Sequence, residues 1–189
     1  MKKIKLSKPA IIAIIIVAVL IVGFAIFLPL YLKANAPQRE LYAQEKIRFI
    51  AYGEDLGSYN LEELLALEGV EEKTFKDIYD TSASEPVEKT YTGIELKAVL
   101  KALNIDMTIA RNITFKASDG LNKLYPAEDV LTPDNVFIAY KVNGIEFNKG
   151  TVTSAYTQEG EDGGPYVVIR VSDTFSQHRC KLLTEVNVG

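Results

Sequence analysis

Pro9 to Leu32 is a run of 24 residues without a single charge in a chain of 189. As an α-helix rising about 1.5 Å per residue it extends roughly 36 Å. A bilayer core is about 30 Å thick, so the run can cross it with some tilt. Soluble core helices of this length carry polar residues, which makes a buried core helix the weaker reading. Lys2, Lys3, Lys5 and Lys8 give the run a basic start, and Ala34-Asn35-Ala36 has the small-x-small form of a signal cleavage site. Against cleavage, the run exceeds the usual signal core, and Pro37 would directly follow the cut. No cysteine closely follows the run, which excludes a lipoprotein signal. Residues 1–36 are therefore expected to be a cytoplasmic basic tail and transmembrane anchor, with the membrane held through residues 9–32. Lys33, Arg39, Lys46 and Arg48 nearly balance the four leading lysines. Long domains translocate largely regardless of charge, so the remainder is expected outside the cytoplasm, at the cell membrane.

The charge of that remainder limits its partners. Five of the 21 basic residues fall in the first 36 positions, which hold no acid, leaving 16 bases against 25 acids and a net charge of −9. Such a surface argues against nucleic acid and against anionic lipid. Cys180 is the single cysteine, so no internal disulfide forms.

Hydrophobic periodicity predicts an α+β domain over residues 46–189, reached through a tether or helical continuation at 37–45. Strands are expected at 46–52, 73–79, 88–91, 112–116, 121–125, 136–142, 145–147, 166–171 and 182–188. Asn60 is expected to cap a short amphipathic helix over 61–67, and Ile94 to Asn104 falls at helical spacing. Pro126 to Val130 suits one helical turn. Gly53 to Tyr59 reads as a turn, 81–86 as a loop, Thr92-Gly93 as punctuation and Asn143-Gly144 as a hairpin turn.

Five short motifs follow in order: Tyr91-Thr-Gly-Ile-Glu-Leu96, Ser118-Asp119-Gly120, Val142-Asn143-Gly144, Gly163-Gly164-Pro165 and Ser176-Gln-His-Arg179-Cys180-Lys181. Together they resemble the molybdopterin-binding oxidoreductase domain of the sulfite oxidase family, over roughly Ile47 to Val188. The resemblance implies a mixed β-sheet domain of that type and a pocket for a pterin-type cofactor. Backbone N–H groups at Gly163 and Gly164 suit a ligand phosphate, and a guanidinium at Arg170 or Arg179 can hold phosphate bidentately. His178 lies at a family position from which it can hydrogen-bond a pterin or phosphate.

The chain also departs from that pattern. The family's metal-ligand cysteine belongs between the second strand and Tyr91, and residues 73–90 contain none. A hydroxyl or carboxylate does not replace a soft thiolate there. Val167 stands where the family has an arginine after Gly-Gly-Pro, and Cys180 stands where it has a tryptophan. The leading expectation is thus a module that binds an anionic small molecule or an envelope protein without oxo transfer. The alternative is a molybdopterin-dependent oxidoreductase with an atypical metal site.

Other groups read more plainly. Glu159, Glu161 and Asp162 sit in a Gly-rich stretch whose spacing is not that of an EF-hand, and they are expected to face solvent. Arg179 and Lys181 flank Cys180 and would lower its pKa if it were exposed, but a buried, inert thiol is expected. The many tyrosines suit a β-sheet core.

Overall fold

A computed structural model describes residues 8–81, 84–149, 161–173 and 175–189. The chain forms two compact units that divide after Ala36. In the first, α1 (Lys8–Ala34) is one apolar helix, long and apolar enough to cross a membrane, with its large side chains exposed.

The second unit, Pro37–Gly189, carries two sheets and short helices. Most of the expected 37–45 tether is helix α2 (Ala36–Ala43). Alternation sets β1 (Ile47–Ala51), which buries Ile47, Phe49 and Ala51. Gly53 to Tyr59 is not a turn throughout: Tyr52 and Gly53 make the turn at positive φ, and β2 (Glu54–Tyr59) returns as an exposed edge strand. Its polar sequence hid it, because an edge strand facing water needs no apolar phase. Asn60 then caps α3 (Leu61–Leu65) in a reciprocal capping box with Glu63.

Strands β3 (Glu72–Thr81) and β4 (Ser84–Glu95) form a long hairpin in which Asp77 lies opposite Lys89 and Phe75 opposite Tyr91. The expected loop at 81–86 is thus mostly strand, residues 82 and 83 lying outside the described set. Thr92-Gly93 does not break β4. It is a bulge against the neighbouring strand, and a Cβ on Gly93 would lie 2.5 Å from the carbonyl oxygen of Ile138. Next come α4 (Leu96–Ala102), β5 (Asn112–Ala117), β6 (Asn122–Pro126), α5 (Ala127–Leu131) and β7 (Val136–Val142). β8 (Ile145–Glu146) closes the Asn143-Gly144 hairpin. β9 (Asn148–Lys149) pairs with β10 (Asp162–Gly164). β11 (Val167–Arg170), a 3-10 turn at Ser176–His178 and β12 (Leu183–Val188) complete the unit.

One sheet has the order β2-β1-β12-β5-β6, with β1 and β12 parallel. The other runs β11-β7-β4-β3, with β8 added to β7. β7 is buried at every position but Lys141, as expected of a strand covered on both faces. One side of this sheet, through Ile138, Tyr140 and Val168, joins the main apolar core with Phe49, Phe115, Leu96 and Val186. On the other side Tyr91, Ala139, Val142, Phe147, Val167 and Ile169 form a second, smaller core. The functional question concentrates around that second core.

Candidate functional site: a buried ionic cluster

Strand alternation brings two of four charged side chains under this second face. Asp77 and Tyr79 share the inward phase of β3, and Lys89 and Tyr91 the matching phase of β4. Glu161 arrives just before β10, and Arg179 just after the 3-10 turn. The guanidinium of Arg179 reaches Asp77 at 2.7 Å and Glu161 at 3.1 Å. It also donates to the Tyr91 hydroxyl at 2.8 Å and to the carbonyl of Ile78 at 3.3 Å. Tyr91 in turn donates to Glu161, whose carboxylate lies 3.2 Å from the Lys89 ammonium. The rings of Tyr79 and Tyr91 face the Arg179 guanidinium at 5.3 and 4.8 Å.

All four charged side chains are at most 6% exposed. Two cations and two carboxylates balance, which makes the burial tolerable. Desolvation is the largest influence on Asp77. It raises the Asp77 carboxyl, and the pull of Arg179 only partly offsets it. Burial also pushes the Tyr91 hydroxyl up, with Glu161 adding to the shift. For Arg179 burial acts to lower the pKa, but Tyr91, Glu161 and Asp77 outweigh it and the value rises.

The residues expected to hold a ligand fall into separate places. Arg179 is the centre of the cluster. Arg170 and His178 meet elsewhere, on Asp173: Arg170 at 2.8 Å, with Asp129 at 2.5 Å on its other side, and His178 through Nδ1 at 2.8 Å. The Arg170 guanidinium also lies 4.7 Å from the centre of the Tyr125 ring. Gly163 and Gly164 are buried in a close backbone crossing. A Cβ on Gly163, which has φ of +106°, would meet the Lys181 side chain at 2.6 Å. One on Gly164 would meet the carbonyl of Phe147 at 2.6 Å.

Glu161 corrects the expectation of a solvated acidic loop, since it is among the most buried carboxylates of the chain. Glu159 lies outside the described residues. Cys180 is fully buried, and desolvation pushes its thiol up to about 12. Burial, with Asp119 adding to it, outweighs the pull of Lys123. Asp77, Lys89 and Glu161 were not singled out as site residues. A signal for two of them existed: Asp77 sits in phase with Phe75 and Tyr79, and Lys89 in phase with Val87 and Tyr91, so a charge occupies the apolar phase of each strand.

By sequence the chain matches no described protein family and no curated protein. Among solved structures it is similar to a chain of the sulfane dehydrogenase SoxCD from Paracoccus pantotrophus. The TM-score is 0.59 at 14% identity, over 78% of this chain and 38% of that one. The likeness shows the fold. The chain spans well under half the length of that neighbour.

The side chains on this face are a poor fit for the molybdopterin that the motif resemblance implies. The Arg179 donors are committed to Asp77, Glu161, Tyr91 and Ile78. A ligand phosphate placed there would face two carboxylates. The one thiol is protonated and packed in the core. Among the described residues no three His, Cys, Asp or Glu side chains gather as a metal site.

Proposed function

We propose that this chain is a membrane-anchored, extracytoplasmic binding module of the sulfite oxidase molybdopterin-binding type. On this reading its cofactor side is closed by its own ions, and it works by holding a partner protein or an anionic small molecule, without oxo transfer. One observation carries the reading: the arginine of the Ser-Gln-His-Arg motif is neutralised internally by Asp77 and Glu161 at 2.7 and 3.1 Å. A phosphate-binding arginine is left open to its ligand, because a bidentate contact needs two uncommitted donors. Fold likeness to a dehydrogenase chain and the ordered motifs support the architecture. The 27-residue apolar helix supports the anchor, and the length of the domain that follows it supports the orientation.

The test is elemental and pterin analysis of the full chain, purified from a host that makes molybdenum cofactor. Folded protein with neither molybdenum nor pterin is the expected result. Near-stoichiometric molybdenum or pterin overturns the reading, and its loss in Cys180→Ser would then assign the thiol as ligand. Protease shaving of intact cells tests orientation: the 37–189 portion is expected to be cut from outside.

A further inference from the structure

A second feature lies away from the ionic cluster, between α4 and α5. There α4, the turn through Asn104 and the end of α5 line an open cavity of about 430 Å³. Its floor is apolar, with Leu100, Ile105 and Val130 buried and Met107 half-exposed. Lys97 and Lys101, one turn apart on α4, stand at its mouth. The size falls within the range of about 300–1,000 Å³ typical of small-molecule sites, and an apolar lining with few polar groups is their usual character.

The two lysines give the cavity its selectivity. Elsewhere in the unit, Lys46, Lys73, Lys76, Lys89, Lys116 and Lys149 each meet a carboxylate. Among the described residues, Lys97 and Lys101 do not, and neither do Lys123, which donates to the carbonyl of Gln177, and Lys141, which lies over the Tyr140 ring. Lys97 donates instead to the carbonyl of Leu131 at 2.7 Å, which holds its ammonium over the cavity. Asp106, the acid at this cavity, is turned to Thr108, accepting from its N–H at 2.9 Å and its hydroxyl at 2.6 Å. Two lysines lining an apolar cavity, on a domain that is otherwise strongly acidic, complement a molecule with an apolar body and one anionic end.

We infer that this cavity binds a small amphipathic organic anion, with the apolar body against Met107 and Leu131, over the buried Leu100, Ile105 and Val130, and the anionic group on Lys97 and Lys101. The site rests on the anionic-ligand arm of the proposed function but shares no residue with the ionic cluster, so the molybdenum and pterin analysis can fail without it. The probe is 4-(4-fluorophenyl)butyrate, whose body of about a dozen heavy atoms suits a cavity of this size. Binding is followed by fluorine NMR on the full chain in nanodiscs, with empty nanodiscs subtracted.

Saturable binding with Kd below about 1 mM is expected. The matching alcohol should bind about tenfold more weakly, as should the acid on a K97Q/K101Q double variant, each losing the charge-assisted contact. Lys101→Glu, which replaces an exposed ammonium at the cavity with a carboxylate, should abolish binding of the acid while leaving Tm nearly unchanged. Three results overturn the proposal: no saturable binding of the acid, equal binding of acid and alcohol, or unchanged affinity in both variants.

Discussion

Two arginines nine residues apart, Arg170 and Arg179, build the same kind of site with opposite physics. Each lies over a tyrosine ring, Tyr125 at 4.7 Å and Tyr91 at 4.8 Å, and each is held by two carboxylates. The Arg170 side chain is 22% exposed, so water shares the charge. The Arg179 side chain is 3% exposed, and only protein groups share it. An ion pair at a surface is worth little, whereas a buried one is costly to assemble and costlier to break. The first set therefore fastens a loop, while the second fixes how β3, β4, the Glu161 segment and the last turn fit together.

Truncating each arginine is the sharpest way to break this comparison. Arg179→Ala leaves Asp77 and Glu161 buried without their main counterion, and should cost about 3–5 kcal/mol of stability. Arg170→Ala should cost about 1 kcal/mol, part of it lost packing on Tyr125. Denaturant unfolding of both variants gives the difference directly. Equal losses would mean that the Arg179 cluster is hydrated in solution, and the closed-site reading would lose its support.

The tyrosines should follow at smaller size. The Tyr91 hydroxyl donates to Glu161 and accepts from Arg179, so Tyr91→Phe removes two bonds to charged groups. A loss of about 2–3 kcal/mol is expected. The Tyr125 hydroxyl donates to the carbonyl of His178 at 3.0 Å, and Tyr125→Phe should cost about 1 kcal/mol. A Tyr91→Phe loss no greater than that of Tyr125→Phe would place the Tyr91 hydroxyl in water.

How legible these sites were depended on what each position shows along the chain. Strands with one apolar phase, such as Ile47–Ala51 and Asn112–Ala117, were legible because burial on one face writes period two into the sequence. The Asn60 cap was legible because its chemistry is local. β2 and the start of β4 were not: β2 only half-buries Leu56, Ser58 and Tyr59, the start of β4 is exposed, and nothing in Glu54–Tyr59 distinguishes an edge strand from a polar turn. Arg179 was legible as a site residue through its motif, but its partners were not. Asp77 lies 102 positions away, and the pairing depends on a tertiary crossing that no local pattern encodes. Glu161 looked solvated because its neighbours in sequence are glycines and acids, the composition of a surface loop.

The smallest effect is also the most discriminating, because it reverses sign between the two sites. Burial, the dominant influence on Asp77, raises its carboxyl above the ordinary aspartate value. The folded state therefore takes up this proton more readily than the unfolded chain. The stability that Asp77 contributes through that proton is present below the unfolded pKa and is lost as pH rises through the folded one. Asp173 is the reverse. Burial acts to raise it, but hydrogen bonds from Arg170 and His178 prevail and its carboxyl is lowered. Its contribution is present above the unfolded pKa and is lost as pH falls through the folded one. Unfolding free energies of the parent chain, Asp77→Asn and Asp173→Asn, measured from about pH 3 to pH 7, isolate each group by difference. The parent should gain on Asp77→Asn as pH falls and lose ground to Asp173→Asn over the same acid range. Parallel slopes would show that the two carboxylates share one environment, and that exposure is not what separates the two arginine sites.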